Sequence, residues 1–256
     1  VQVRSRKGYM ASRGRVPDAA ASSPLIASAR DALRSPISVG GLPLSVFAAP
    51  FKGASPNAAV AVAIEMRVNG FAFTEDKGSF NDQLEVVVAS TDQGGRSEAP
   101  QRHPVVLAMR ADTLARARDQ GFRLVTQVDL PPGRHQLRVA ASEQGGQSGS
   151  VVYDLEIPDF YRAPLSMSGV ALTSSAHARA PTVAPRNPLG DFLPGPPIAT
   201  RSFSREDELV AFAEFYENAP GAPPHVLDMT STVRADGGRT VLESAEQRSS
   251  TQLQGK

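Results

Sequence analysis

Between residues 42 and 158 the chain repeats one pattern: a run of mostly apolar, often β-branched residues, then a short polar or glycine-rich break. Seven such runs, 44–49, 60–68, 84–90, 105–110, 122–129, 135–141 and 150–157, predict seven strands. The breaks Asn69-Gly70, Asp92-Gln-Gly-Gly95, Pro131-Pro-Gly133 and Gln144-Gly-Gly146 supply reversal chemistry. In the third, Pro132 fixes φ for the second position of a tight turn and Gly133 accepts a positive φ at the next, so 130–134 should reverse sharply. Beyond it His135, Leu137 and Val139 alternate with Arg134, Gln136 and Arg138, which predicts one face in a core and Arg134 and Arg138 in solvent. Seven strands at this spacing predict a mainly β fold, a two-sheet Greek-key sandwich of the immunoglobulin or fibronectin III kind.

Two helices interrupt the rhythm. Residues 22–36 place Pro24 in a first turn behind a serine cap, with Leu25/Ile26, Ala29 and Leu33 at helical spacing and Pro36 as a stop. The apolar stripe should lie on the domain that follows; a membrane-surface role would have only Arg30 and Arg34 as cations. Residues 112–121 predict about two turns between an Asp112 cap and Gly121. After Pro158, 165–172 predicts one more strand. Residues 174–200 hold six prolines and no apolar period, which predicts an extended, largely solvated linker. Residues 209–216, 225–233 and 239–245 predict further strands, the last two joined through Ala235-Asp-Gly-Gly238.

Composition narrows the chemistry. A 256-residue chain with 41% hydrophobic residues can bury real cores, and 21 Gly with 21 Pro suit many short strands. The balance of 27 basic and 26 acidic residues gives no field to draw in nucleic acid or an anionic membrane. Without cysteine there is no thiol catalysis, thiolate metal site or disulfide, and no stretch approaches the ~20 apolar residues of a membrane span.

Asp228, Thr230 and Thr232 have the spacing of an Asp-x-Ser-x-Ser loop whose oxygens could hold Mg²⁺, but their context reads as a Thr-rich hairpin strand. His103, His135, His177 and His225 share no ligand spacing, and His135 falls on the apolar phase of its strand, as a hydrogen-bonded core imidazole would. Ser148 in Gly146-Gln-Ser-Gly149 lacks the full nucleophile elbow. The runs Arg205-Glu-Asp-Glu208 and Glu75-Asp76 read as solvated charge. Arg116, Arg118, Arg123, Arg134 and Arg138 would form a basic strip if the second helix lay over the 130–134 turn. Of Tyr9, Tyr153, Tyr161 and Tyr216, two fall inside predicted strands and none are expected to cluster. No catalytic, cofactor-binding or metal-ligating residue is assigned, and no cofactor.

Several stretches carry a resemblance. Val3-Arg-Ser-Arg-Lys-Gly-Tyr-Met-Ala11 resembles the closing strand of the von Willebrand factor A-related domain of a bacterial group usually labelled acidobacterial. Leu130-Pro-Pro-Gly-Arg-His-Gln-Leu-Arg-Val139, Gly149-Ser-Val-Val-Tyr-Asp-Leu-Glu-Ile-Pro-Asp-Phe160 and Leu165-Ser-Met-Ser-Gly-Val-Ala-Leu-Thr173 are similar to the region that follows that domain. Such proteins usually carry tyrosine where this chain has His135, a position whose hydroxyl ties a loop in fibronectin-type sandwiches. The resemblance implies an exported bacterial protein, periplasmic or extracellular, whose upstream von Willebrand factor A-like domain is this chain's partner and holds the metal loop. It implies no enzyme here but a structural or interaction module that spaces or presents that domain, with other proteins as further partners and no nucleic acid or membrane insertion; the alternative is a carbohydrate- or matrix-binding sandwich. The expected division is the end of an upstream domain at 1–15, a linker with a short helix at 16–36, the sandwich at 37–160, a strand and Pro-rich linker at 161–200, and an incomplete second β module at 201–256. For 204–216 a Ser204 cap and the spacing of Leu209, Phe212, Ala213 and Tyr216 suit a helix. The β-rich surroundings favour a strand with Val210, Phe212 and Tyr216 on one face.

Overall fold

The computed structural model describes residues 24–187, 189–190, 192–218 and 223–252; the expected strand end at 1–15 lies outside them. The chain divides into two units, 1–217 and 218–256. The first is mainly β. Helix α1 (Pro24–Arg34) leads into β1 (Leu44–Lys52), β2 (Ala58–Met66), the short β3 (Thr74–Asp76), β4 (Ser79–Asp92) and β5 (Gln101–Met109). Helix α2 (Ala111–Gln120) precedes β6 (Phe122–Leu130), β7 (Gly133–Glu143) and β8 (Ser148–Ile157). All seven predicted strands are present; β2 is shifted two residues earlier than predicted, β5 starts four residues earlier and ends one earlier, the others are longer by one to several residues, and β3 is added as an arm on β4.

The strands form two sheets. One has the order β1-β2-β6; in the other β4 lies between β5 and β7, and β8 pairs with β7. Alternation sorts their side chains. Val60, Val62, Ile64 and Met66 of β2 and Leu84, Val86 and Val88 of β4 enter one shared core with Leu137 and Val139 of β7, giving a β-sandwich-like fold. The 130–134 turn carries the chain from β6 in one sheet to β7 in the other, so the strands it joins are not paired neighbours. Gly133 has φ 124°, the positive φ expected of it.

Both outer faces are covered. Ala29, Ala32 and Leu33 of α1 pack on Val87, Ala89 and Ala140, which line the outer face of β4 and β7. Arg138, expected in solvent, is half-buried because its Nη1 donates to the carbonyls of Leu33 (3.3 Å) and Ser35 (2.9 Å), the unpaired acceptors at the end of α1. Gln136 on the same phase is buried, and Arg134 is exposed as predicted. Helix α2 begins one residue before its expected cap: Arg110 is the cap, with no side-chain bond, and Asp112 sits in the first turn.

The opposite outer face, formed by Phe47, Ala49, Phe51, Ala61, Ala63 and Val125, is covered by the chain after residue 160. Small alanines on the outer phase of β2 allow this close approach. The covering layer contains β9 (Leu165–Met167), β10 (Ala171–Ser174), a 3₁₀ turn (His177–Arg179), β11 (Thr182–Val183), β12 (Leu209–Phe212) and β13 (Phe215–Glu217). The expected solvated linker is therefore a packed layer: β11 runs parallel beside β6, and Leu189, Leu193, Ile198 and Ala199 are buried. Within 204–216 the structure has strand, as the β-rich surroundings favoured, at 209–212 and from 215 on, and no helix. The stretch opens no second module, however, because β12 pairs with β10 and β13 with β9, which moves the boundary from 200/201 to 217/218.

The second unit is one antiparallel hairpin, β14 (Val226–Arg234) with β15 (Thr240–Ser249), turning through Ala235-Asp-Gly-Gly238 with a register shift after Val233.

Candidate functional site

The nominated residues resolve one by one. His135 is buried on β7: its Nε2 lies 2.9 Å from the Pro131 carbonyl and its Nδ1 3.2 Å from Ser90 Oγ. The carbonyl contact requires the proton on Nε2, so Nδ1 accepts from the Ser90 hydroxyl. The imidazole thus ties the turn to its strand, the task a tyrosine performs at the corner of fibronectin-type sandwiches. His103 is half-buried on β5 with Nε2 shielded and unpartnered; burial lowers its pKa, opposed by the Glu85 carboxylate. His225 stays local, its Nδ1 3.0 Å from the Pro223 carbonyl.

Asp228, Thr230 and Thr232 lie along one phase of β14, about 7 Å between successive positions, and so do not converge on a point. Asp228 instead accepts from Gln247 Nε2 across the hairpin, 2.8 Å. Among the described residues no three His, Asp or Glu side chains gather as a metal site, and no helix is long and apolar enough to cross a membrane. Ser148 opens β8 opposite Ser142, and its carbonyl accepts from Leu42 N–H. Glu75 and Asp76 are exposed on β3.

The arginines do not form a strip. Arg138 caps α1, Arg134 and Arg116 are exposed beside Glu156 and Asp112, and Arg118 is exposed on α2. Arg123 is only 1% exposed. It lies opposite Glu65 on the outer face of the β1-β2-β6 sheet, with Nε and Nη2 donating to Oε1 at 3.0 and 2.8 Å. Nη2 also donates to the His177 carbonyl (3.1 Å), and Glu65 Oε2 accepts from Thr200 N–H (3.0 Å), so one ion pair fastens both ends of the 177–200 excursion. Arg123 Nη1 is buried without a partner.

Sequence reasoning treated Asp207 as solvated, yet its side chain is 1% exposed although the segment lies at the surface. Its Oδ1 accepts from Ser175 Oγ (2.8 Å) and Ala176 N–H (3.0 Å), and its Oδ2 lies 3.8 Å from His177 Nδ1. Its pKa is lowered, first by the Ala176 N–H and further by the Ser175 and Ser174 hydroxyls and His177, against burial, which is second only to the Ala176 N–H. This serine, histidine and aspartate are not a proton relay. Ser174 Oγ (3.0 Å) and Asp207 both face Nδ1, whereas a relay needs them on opposite ring nitrogens.

Two of the tyrosines, Tyr161 and Tyr216, do come together in space around Lys52, while Tyr153 donates to the Ala48 carbonyl. Lys52 Nζ lies 5.1 Å from the Tyr161 ring centre and 5.8 Å from that of Tyr216. Tyr216 Oη accepts from Lys52 N–H (3.0 Å) and donates to Glu214, Tyr161 Oη donates to the Gly53 carbonyl, and Phe160 meets Tyr216 edge-on at 5.1 Å. Burial raises the Tyr216 pKa, reinforced by Glu214, so this phenol stays protonated and holds β13 to the end of β1.

One surface has no counterpart in the sequence reading. In the ribbon made by β9-β13 and β10-β12, the phase facing away from the sandwich is mostly apolar, with Glu217 opposite Leu165 at one end and Ser174 opposite Leu209 at the other. Met167 pairs with Phe215 and Leu172 with Ala211, flanked by Leu165, Val170 and Leu209. Leu165, Met167, Val170, Leu209 and Phe215 are each about half exposed. The signal was alternation within short runs on both sides of a long gap, which no local window joins. Comparison of the chain with protein-family models and with curated proteins gives no match.

Proposed function

We propose that this chain is a non-enzymatic structural and interaction module, the C-terminal part of an exported von Willebrand factor A-related protein, which spaces or presents an upstream ligand-binding domain. Its sandwich would be of the fibronectin III kind, a reading supported by the sheet orders β1-β2-β6 and β5-β4-β7-β8 and by the His135 tie at the turn. The observation that carries the function is where the buried polar side chains go. Arg123 with Glu65, Arg138 on α1 and Tyr216 on Lys52 each fasten one layer to the next. Side chains committed in this way suit a rigid spacer.

The deciding experiment is to read the sequence encoded upstream of Val1. An Asp-x-Ser-x-Ser loop after an apolar strand there is the expected result, and a glycosidase or protease domain would end the reading. The carbohydrate- or matrix-binding alternative draws on a different observation. Phe192, 48% exposed, stacks on Phe212 at 5.2 Å and 18°. If that ring is a sugar platform, retention on an immobilised polysaccharide should be lost with Phe192→Ala.

A further inference from the structure

We infer that the outward face of the β9-β13/β10-β12 ribbon is a docking surface for a short amphipathic segment of a partner, apolar on one face and basic at its ends. Three observations select that occupant. The first is composition: residues 163–174 carry no charge at all, and the outward phase opposite them is Leu209, Ala211 and Phe215, with Glu217 as its one charge at the end. A ribbon turned to solvent ordinarily carries charge along that phase, so one whose charge is confined to an end marks a contact surface.

The second is electrostatic. On the strand side at 201–217, Asp207 is buried and Glu214 is held by Tyr216, which leaves Glu206, Glu208 and Glu217 as the carboxylates at the rim, with Arg201 and Arg205. Glu206 and Glu208 precede Leu209 at one end, and Glu217 faces Leu165 at the other. Basic flanks on the visitor would match this rim, and an anionic lipid surface would be repelled.

The third is size. Five half-exposed side chains leave roughly 400 Å² of apolar surface, within the range of functional patches on monomers but about half of what each partner buries in a stable homodimer. A second copy would also bring the same acidic rims together, whichever way it turned. A short segment is what remains.

This deepens the interaction-module reading and rests on it, but its test is separate, since failure here leaves the spacer role to be decided by the upstream sequence. The whole chain is titrated against a short fluorescent peptide of alternating leucine and lysine, with a leucine–glutamate peptide as control, and anisotropy is followed. Binding of the lysine peptide alone is expected, weakening with salt and at least tenfold in Met167→Ser/Phe215→Ser. Both positions are exposed, and an unchanged thermal melt checks that the variant is folded. Unchanged affinity in the variant, equal binding of the two peptides, or no binding overturns the inference. So does a dimer in sedimentation that the same substitutions dissolve, which would make a second copy the occupant.

Discussion

At the level of single residues, burial alone does not sort the polar groups; the number of partners does. Asp82 on β4 is buried, accepts from Gln83 N–H (2.7 Å) through Oδ1 and leaves Oδ2 unpartnered. Burial raises its pKa, the nearby Glu143 carboxylate adds to the rise, and the Gln83 and Gln144 amides oppose it. A carboxyl that holds its proton more tightly when folded favours folding at low pH, and that contribution is lost as pH rises through the folded-state value. Asp82→Asn should therefore stabilise at pH 7 by about 1 kcal/mol, its amide replacing an unpartnered oxygen, and the gain should vanish below about pH 4. Denaturant titrations of both proteins across that range measure it. On β7, Arg138→Ala should cost about 1–2 kcal/mol because it uncaps α1, and Arg134→Ala within about 0.5 kcal/mol because that side chain is exposed; equal costs would remove the cap.

His135 and Gly133 were legible in sequence because each obeys a local rule, strand phase in one case and turn φ in the other. Arg138 obeyed the same phase rule and was misread, since the rule assumes water on the outer face. The helix that covers that face begins more than a hundred positions earlier.

Elements repeat this division. Every strand within 44–157 except the three-residue β3 announced itself through alternation and punctuation, whereas the 174–200 stretch looked like a linker because proline removes periodicity without removing burial. Its anchoring depends on Arg123 and Glu65, which stand opposite each other on adjacent strands yet lie 58 positions apart in the chain. Arg123→Met leaves the shielded Glu65 carboxylate without its counter-ion, with only the Thr200 N–H donating to it, and should destabilise by about 3–5 kcal/mol, while Arg123→Met/Glu65→Leu should recover most of that loss. Additive losses in the cycle would show that the two side chains act independently. Gly149 belongs to the same lesson: a Cβ there would fall 1.9 Å from the Leu42 carbonyl oxygen, so the serine-containing turn that drew notice as a nucleophile lookalike is shaped by close backbone approach.

For the whole molecule, the boundary at 217/218 changes what should be labile. The hairpin β14-β15 is two-stranded, with Val226, Val233, Val241 and Leu242 exposed, and such ribbons are marginal in water. Hydrogen exchange should show its amides opening well before those of β2, β6 and β7, with 200–217 protected alongside the sandwich. Protection of the hairpin equal to that of β2 would mean that it packs on something further. Millimolar Mg²⁺ or Ca²⁺ should leave the melting temperature unchanged, because Asp228 and its two threonines do not converge; a rise abolished by Asp228→Ala would restore the metal loop.

The first element described, α1, lies on the outer face of one sheet, and the last of this unit, β13, belongs to the layer on the outer face of the other. Tension between whatever is attached at the two ends would therefore pull across the layers instead of along the strands. The β ladders would be loaded last. Helix α1, held by Arg138 and by the Ser142 hydroxyl on the Leu25 carbonyl, and strand β13, held by Tyr216, would peel first. Under force such a body lengthens in small early steps at either surface and keeps its centre intact, as a mechanical fuse does.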